Sequence, residues 1–598
     1  MKAPQTPAQR LKHFGTADCH KFRTSILEAH PAMAPALADI YEQTARATGY
    51  AEANRQLSRN HKRLTIGQQA ANVFFLDADD EALCSFAKMK AIIFEDRLND
   101  WMKIDIYHAR NKAREFLSAY CLELPLDPKA EDCKEHILAA LVRPQDAMWW
   151  RRQLRVKSKR TIEQLMREAG RVSAARGGYV SDFTVGRRNG QKIRNQRILE
   201  GMEATNQRGE SFTLAELSEK NVSNPEKRRL ELMTRISGFE EVAKSSGHVG
   251  LFLTLSCPSK YHAMKKAGGR CFRNPKYNGS TPRNAQAYLV GIWEKLRAQL
   301  SKQGIKTYGF RIAEPHHDGT PHWHLMLFIA PEDRDQFVNL FYDYALEEDG
   351  DEAGAAVHRC DVVDIDPAKG TAAGYIAKYI GKNINGACIE SEIDDETGLF
   401  IEQTCNRVEA WATCWGIRQF QQIGGATVSV YRELRKVESE QVNDWQDMLP
   451  EAEKMTGDQR SEFDAIHDAA DQGEWGQYTL FQGGAQVGRA EQKVRAWRDK
   501  TENSKPGKYE SAVEKLCGLI QTGAEKLRGL FMGASPRTNP AAAKTVFTCW
   551  NLWSISRAAR SAATRTCVNN CNPVGNHLYE RRPPKPAWEP SPGMAIAT

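Results

Sequence analysis

The chain has 598 residues, of which 41% are hydrophobic and 26% are charged, with a formal net charge of +8. This composition is typical of globular proteins, and the length exceeds what one hydrophobic core supports, so we expect three or four domains. No apolar run approaches the ~18 residues of a membrane helix, and the N-terminus lacks the apolar stretch of a secretory signal. We therefore expect neither membrane insertion nor secretion, and we expect free thiols in a reducing compartment.

Charge is unevenly distributed along the chain. Residues 151–197 contain fourteen Lys and Arg against three Asp and Glu, whereas residues 436–476 contain three basic against twelve acidic residues. This layout suits a protein that places one surface on a polyanion and keeps another surface away from it. Two solvated helical faces are the alternative, and the charge count alone does not separate the two interpretations.

Residues 1–240 show helical spacing with proline interruptions, so a mainly helical N-terminal region is predicted. The basic segment 151–197 inside it is the candidate for contacts with duplex or origin DNA, through neutralisation of phosphates. Within residues 241–435 the pattern changes. Strands are predicted at 248–256, 306–314, 322–330 and 357–365. Helices are predicted after the Ser280-Thr281-Pro282 start and at 331–346.

The order of these elements is strand–helix–strand–strand–helix–strand, the split arrangement of ferredoxin-like folds. The predicted fold class is therefore α+β, with a ferredoxin-like antiparallel sheet flanked by mainly helical N- and C-terminal regions. A further helix is expected directly afterwards, with Asp366-Pro367 as its cap and first turn and GYIAKYIGKN as its body.

The remaining chain is predicted to be helical over 436–570, acidic at its start, and disordered in the proline-rich tail 571–598. Cys567 and Cys571 have the spacing of half a metal site, but no second ligand pair accompanies them.

Four of the fifteen histidines fall in the nine residues HHDGTPHWH, 316–324. Alternate side chains of a strand face the same side, so His322 and His324 point together. The preceding strand ends in Glu314, whose carboxylate reaches the same face if the register allows. Two imidazoles and a carboxylate form a catalytic type of metal set, which accepts Mg²⁺ or Mn²⁺ as readily as Zn²⁺.

The alternative for this pair is two surface imidazoles on a half-buried strand. His316 and His317 are assigned to the loop, as candidates for contact with DNA.

Tyr375 and Tyr379 are four residues apart and share one helix face, which Lys382 continues, with Lys378 beside it. Two tyrosines that pack on the sheet are the alternative. A tyrosine that attacks a phosphodiester exchanges one ester for another, so the bond is stored rather than hydrolysed. A second tyrosine on the same face can cleave again while the first still holds the DNA.

Three segments occur in order: FLTLS at 252–256, EPHHDGTPHWH at 314–324 and GYIAKYIGK at 374–382. They resemble the three motifs of HUH endonucleases, and the two-tyrosine form is similar to the replication gene A protein family of tailed phages. RVEAWATCWGIRQFQQIGG at 407–425 also resembles that family. The resemblance is carried by residues 248–425, about a third of the chain, and the helical flanks look similar over most of the remainder.

The resemblance implies a rolling-circle replication initiator with an HUH endonuclease domain at 241–435. It implies a role for each matched residue: metal ligation by His322, His324 and Glu314, alternating nucleophiles at Tyr375 and Tyr379, and phosphate contacts by Lys378 and Lys382. One tyrosine would nick the origin and keep the 5′ phosphate, and the second would re-cleave and close the displaced strand. The implied metal is Mg²⁺ or Mn²⁺.

The implied partners are single-stranded origin DNA, held covalently at its 5′ end, and the polymerase and helicase of a bacterial host, in whose cytoplasm the protein would act. No GxxxxGK[ST] segment is present, so unwinding is expected to come from a separate helicase.

Three alternatives stay open from the sequence. A conjugative relaxase or a transposase of the same superfamily shares the metal and the tyrosine. A DNA-binding replication factor could carry a metal site that is only structural. A zinc hydrolase of small phosphoesters would need neither the tyrosine pair nor the basic segment.

Overall fold

The computed structural model describes residues 5–68, 73–205, 209–366, 368, 370–384, 392–437, 442–443, 447, 455–499, 515–521, 530–531 and 554–557. None of the helices in these ranges combines the length and the apolar character that crossing a bilayer requires.

The N-terminal region is mainly helical, as predicted. Its helices are α1 Pro7–Arg10, α2 Ala17–Ala29, α3 Ala34–Thr48, α4 Tyr50–Leu64, α5 Asp80–Met102, α6 Ile106–Ser118, α7 Lys134–Val142, α8 Ala147–Glu168, α9 Asp182–Glu200, α10 Leu214–Glu219 and α11 Pro225–Ser246. Its short strands are β1 Thr65–Ile66, β2 Phe74–Phe75, β3 Met202–Thr205 and β4 Ser211–Thr213.

Short polar side chains cap the N-termini of several of these helices. Asp79, Asp105, Asp146, Ser181 and Asn224 each accept a first-turn backbone N–H, at the starts of α5, α6, α8, α9 and α11. Such caps satisfy backbone donors that have no partner inside the helix.

The central sheet has five antiparallel strands in the order β10-β5-β9-β8-β11. They are β5 Val249–Ser256, β8 Thr307–Pro315, β9 Pro321–Ile329, β10 Cys360–Asp364 and β11 Phe420–Ile423; a separate hairpin comprises β6 Met264–Ala267 and β7 Arg270–Arg273. The first three predicted strands are confirmed, the fourth is confirmed from Cys360 on because Val357 and His358 lie in a short helix, and β11 was not predicted. The protein is therefore an α+β protein.

Helices cover both faces of this sheet. The remaining helices are α12 Pro282–Gln303, α13 Arg334–Leu346, α14 Ala355–His358, α15 Ala372–Asn383, α16 Ile401–Trp415, α17 Val428–Leu434, α18 Gly457–Gln472 and α19 Trp475–Phe481. Leu325 and Leu327 point into a core shared with α12, α13 and α16. Met326 and Phe328 point into the opposite core, with α11 and α15. Successive side chains of β9 thus point alternately into two separate hydrophobic cores.

The predicted start of α15 is wrong. The helix begins at Ala372, and the Thr371 hydroxyl caps it by accepting the Gly374 N–H at 3.0 Å. Asp366 instead accepts the Ala368 N–H at 2.9 Å, in the turn before the helix, and Pro367 lies outside the described residues. Asp and Thr are both good cap residues, so spacing alone could not choose between them.

The helical prediction for 436–570 holds for α18 and α19 and is wrong for the described residues from Val494 on. There the described residues form strands β12 Val494–Asp499, β13 Lys515–Gln521, β14 Leu530–Phe531 and β15 Ser554–Arg557. Of these strands, β12, β13 and β14 pair with one another in chain order, whereas β15 pairs with the distant β3. The tail 571–598, with Cys571, and also Cys567 lie outside the described residues, and the predicted domain boundaries stay predictions.

Candidate metal and tyrosine site

The turn between β8 and β9 brings the histidine segment into a tight hairpin. The His316 N–H donates to the Thr320 carbonyl at 2.8 Å, and the Gly319 N–H donates to the His316 carbonyl at 2.7 Å. Gly319 has φ +82°, and a Cβ atom there would lie 2.7 Å from the Tyr179 carbonyl oxygen. Both the left-handed backbone and the close approach require glycine at this position.

Asp318, within the same turn, holds it in place through buried hydrogen bonds. Its carboxylate is fully buried and accepts the Ala263 N–H at 2.7 Å and the Thr320 N–H at 3.0 Å. The buried guanidinium of Arg167, on α8, lies 3.5 Å from it. Burial alone would raise the pKa of Asp318, but His262 and Arg167 outweigh burial and hold it well below its ordinary value.

We expect the Asp318→Asn variant to lose about 3–5 kcal/mol of its free energy of unfolding at pH 7, because the Arg167 charge stays buried without its partner. A carboxyl with a depressed folded pKa contributes stability above its unfolded pKa, which is about 3.9, and loses it as pH falls through the folded value. The difference between wild type and variant should therefore be constant from pH 7 to 5 and shrink below about pH 4. Urea unfolding at pH 7, 5 and 3, followed by tryptophan fluorescence, measures this.

The exposed Asp343 of α13 supplies the matched control. Asp343→Asn should change stability by less than about 0.5 kcal/mol. An Asp318→Asn protein as stable as this control at pH 7 would contradict the proposed role of the buried pair.

Glu314, His322 and His324 meet on one face of the hairpin. Glu314 pairs directly with His322 across β8 and β9, and His324 lies two residues further along the same strand. The Nε2 atoms of the two histidines are 3.0 Å apart, and Glu314 Oε2 lies 3.7 Å from His324 Nε2. One ligand-type atom from each of the three buried residues lies within 4.8 Å of the others. The pairing of β8 with β9 therefore places the Glu314 carboxylate on the face of the two histidines, as the prediction required.

Both imidazoles are suited to bind a cation. Burial lowers the pKa of His324 to about 3, helped by the charges of Lys382 and His316, and burial also lowers the pKa of His322 well below its ordinary value. The rings are therefore neutral near pH 7 and offer lone pairs rather than protons. Among the described residues, His322 Nδ1 is buried without a hydrogen-bond partner. A buried nitrogen without a partner and a converging N,N,O donor set both fit a divalent metal.

A second layer of side chains orients the carboxylate of Glu314. The amide of Asn383 donates to Glu314 and in turn accepts from Gln419 at 2.6 Å. Lys382 Nζ lies 3.8 Å from Glu314 and 3.3 Å from Asp394. Burial would lower the pKa of Lys382, but these carboxylates outweigh it and raise the pKa. The ammonium therefore stays charged beside the site.

Helix α15 lies across the histidine-bearing face of the sheet. Ile376 and Ile380 pack into the core beneath it, which turns the tyrosine face toward the site. The ring of Tyr379 lies 4.1 Å, centroid to centroid, from the ring of His324. Burial, together with Glu314 and Asp395, raises the pKa of Tyr379 to about 12, so its phenol stays protonated when no cation is bound.

Tyr375 lies one turn earlier on the same helix and is half-buried. Its ring centroid is 6.4 Å from that of Phe252, which also stacks on the ring of Tyr379 at 5.5 Å. Phe252 of β5 therefore bridges the two tyrosines beneath the site.

Not all of the predicted residues come together. Lys378 pairs with the exposed Asp395 at 3.1 Å and lies outside the cluster. The ring of His317 is buried, and its predicted contact with DNA stays a prediction. The ring of His316 stacks on His322 at 4.1 Å, with its Nδ1 2.8 Å from Glu396.

Sequence reasoning missed three residues of the site. Asn383 had a signal, since it lies four residues after Tyr379 on the predicted helix. Phe252 begins the segment FLTLS, and nothing in its pattern indicates a role for the aromatic ring. Asp394 is in a loop, and no local pattern could have found it.

Comparison with known proteins places these residues in a family context. The model of the bacteriophage replication gene A protein (GPA) family matches residues 83–387. The chain is 38% identical over 452 residues to the replication gene A protein of Escherichia phage 186, which covers 73% of this chain and 60% of that protein. It is 37% identical over 441 residues to the replication protein of Haemophilus phage HP1, covering 73% and 54%.

A third relative, from Salmonella typhi, is named "Probable replication endonuclease from prophage-like region 2"; it is 32% identical over 455 residues, covering 74% of this chain and 54% of that protein. The chain thus spans between half and two thirds of the length of these relatives. No solved structure matches the chain significantly.

Proposed function

The chain belongs to the bacteriophage replication gene A protein family, and we propose that it is a DNA-nicking and strand-joining endonuclease that initiates rolling-circle replication. The names of its relatives, which include replication protein and replication endonuclease, support a role in starting replication by cutting DNA.

One observation carries the proposal: a tyrosine ring packs at 4.1 Å against a histidine of a buried His–His–Glu set. A structural metal site is ordinarily closed by four protein ligands, whereas three ligands leave a position open for a substrate. A nucleophile placed beside an open position is the arrangement of a catalytic site rather than of a binding module.

We propose Mg²⁺ or Mn²⁺ as the cofactor, held by Glu314, His322 and His324. When bound, the ion would polarise the scissile phosphate and favour the phenolate of a nearby tyrosine. Lys382 adds positive charge at the same place, while Asn383 holds the carboxylate of Glu314 in its orientation.

The proposed chemistry is transesterification. The tyrosine oxygen attacks phosphorus and forms a new P–O bond as its proton leaves, and the bond from phosphorus to the 3′ oxygen breaks. That oxygen takes up a proton and becomes the free 3′ hydroxyl, while the 5′ phosphate stays on the tyrosine. The second tyrosine repeats the attack on the regenerated origin. The released 3′ hydroxyl then loses its proton and attacks the phosphorus of the first phosphotyrosine. The bond from phosphorus to that tyrosine's oxygen breaks, the tyrosine oxygen takes up a proton, and the displaced strand is closed.

We also propose that the sheet is the ferredoxin-like core of HUH endonucleases. Its first four strands lie in the order β10-β5-β9-β8, with α12 and α13 as the crossovers, which is the order of a split βαβ fold. The proposed partners are single-stranded origin DNA and the polymerase and helicase of a bacterial host, in whose cytoplasm the protein would act.

A covalent adduct tests this function. The full chain is incubated with Mn²⁺ and a pool of single-stranded oligonucleotides with random centres, labelled at either the 3′ or the 5′ end. Protein should become linked to the 3′-labelled fragments only, and the released 5′-labelled fragments should be extendable by a polymerase. Mass spectrometry should find the nucleotide on Tyr375 or Tyr379. Attachment to any other residue, or no attachment at all, would overturn the proposal.

A further inference from the structure

The basic segment 151–197 divides into two parts with different environments. On α8, several cations bond to the protein itself: Arg167 is buried beneath the turn, Lys159 donates to the Thr413 carbonyl at 2.7 Å, and Arg160 donates to the Trp415 carbonyl at 3.2 Å. These side chains stabilise the packing of α8 against α16 and the hairpin. They are therefore not available to an external polyanion.

Helix α9 has the opposite character. Its last ten residues, 191–200, are exposed with the exception of Leu199. No acidic residue occurs between Asp182 and Glu200, while the interval contains five cations and four amides, in the order GRRNGQKIRNQR over 186–197. This end of α9 therefore lacks the apolar stripe by which a helix normally packs on a protein core.

One side of α9 is fixed to the protein. Arg188 and Lys192 each form an ion pair with Glu409 of α16, both at 2.7 Å. At 100° per residue, Arg194 lies roughly 200° around the helix from Lys192. The free face is therefore centred on Arg194. Gln191, whose side-chain oxygen accepts a hydrogen bond from Arg188 at 3.1 Å, and Ile198 flank Arg194 on one side, and Arg197 flanks it on the other.

We propose that this free face of α9 enters the major groove of duplex DNA and recognises base sequence next to the nicking site. The proposal rests on the proposed function, and it adds a duplex contact separate from the single strand that is cut. Arginine reads guanine, glutamine reads adenine, and an apolar side chain contacts the thymine methyl group, so the face contains all three kinds of reader. An α-helix fits the groove, which is about 12 Å wide.

The surroundings of α9 are compatible with a polyanion. Arg194 lines a cleft of about 720 Å³ that also contains Asp79 and Asp80. Asp79 caps α5, and Asp80 is paired with Arg155 at 2.7 Å. The charge of Asp80 is thus compensated by an arginine at the same surface. Because α9 and α15 both pack against α16, one helix connects the proposed duplex contact to the tyrosines.

Selection from a pool of 40-base-pair duplexes with twenty random central pairs tests the proposal. The wild-type chain should enrich a duplex motif that the same pool in single-stranded form does not compete for. Combining Arg194→Ala with Arg197→Ala should lower the affinity for the enriched duplex at least tenfold in fluorescence anisotropy. Gln191→Ala should alter the base preference at one position and leave the rest of the motif in place. Arg297→Ala with Lys302→Ala, two exposed cations on α12, removes the same charge and should change nothing.

Two results would overturn the inference: no duplex motif for the wild type, or the same motif and affinity for the Arg194 and Arg197 double variant. Formation of the covalent adduct on single strands is measured in parallel, and the double variant should retain it. A protein that forms the adduct but enriches no duplex motif overturns only the α9 proposal. A protein that enriches the motif but forms no adduct overturns only the nicking function.

Discussion

Replacing Tyr375 and Tyr379 together by phenylalanine should abolish covalent attachment to DNA, with a loss of at least about a thousandfold, or ~4 kcal/mol of transition-state stabilisation. The double variant removes both hydroxyls that could accept the phosphate and keeps the rings that pack on His324 and Phe252. Binding of single-stranded DNA, measured by anisotropy, should be unchanged. A binding factor with a structural metal site would keep all its activity in this variant, which separates that alternative from the nicking enzyme.

The single variants should differ from one another. Tyr379 contacts His324 directly, whereas Tyr375 lies one turn away, so Tyr379→Phe should reduce the first cleavage more than Tyr375→Phe does. Both single variants should lose strand closure, which needs two cleavages. The Tyr50→Phe, Tyr107→Phe double variant removes two hydroxyls from exposed tyrosines of the N-terminal helices and should be as active as the wild type. Full adduct formation by the Tyr375 and Tyr379 double variant would refute the assignment.

Replacing His322 and His324 by alanine should remove both metal binding and nicking. A ligand at a hundredfold excess over its Kd stabilises the folded protein by about 2.7 kcal/mol. Mn²⁺ should therefore raise the melting temperature of the wild type and leave that of the variant unchanged. This readout does not depend on DNA, so it tests the metal site even if no cleavable sequence is found. A variant stabilised by Mn²⁺ as strongly as the wild type would place the metal elsewhere.

Asn383→Ala should weaken metal binding without abolishing it. The Asn383 amide orients Glu314 without being a ligand itself, and loss of such a partner typically costs 10–100-fold in metal affinity. Asn339→Ala, on the exposed side of α13, is the matched control and should bind Mn²⁺ with unchanged affinity. If Asn383→Ala also binds with unchanged affinity, the orientation of Glu314 does not depend on this amide.

Much of this site was predictable because it depends on short-range periodicity. The two-residue repeat of a strand placed His322 and His324 on one face, and the hairpin placed Glu314 opposite them. The i, i+4 spacing placed Tyr375 and Tyr379 together. These rules act within a few residues, so they do not depend on how the rest of the chain folds.

The contacts that complete the site were not predictable in this way. Asp394 and Tyr179 come from loops that are distant in sequence, and they meet the site only through tertiary packing. The edge strand β11 is four residues long and mixes glutamines with apolar residues, so it has no clear strand signature. The start of α15 was also not predictable, because Asp366 and Thr371 are both suitable cap residues. Only the folded turn before the helix decides which of them caps it.

The contacts of Arg167 and Tyr179 limit how far the protein can be truncated from its N-terminus. Arg167 holds Asp318 beneath the histidine hairpin, and the Tyr179 hydroxyl donates to Asp394, the partner of Lys382. Both residues precede the boundary at 241 that the sequence suggested for a nuclease domain. A fragment that starts there would expose the buried carboxylates of Asp318 and Asp394, so the smallest autonomous nuclease must extend upstream to include α8.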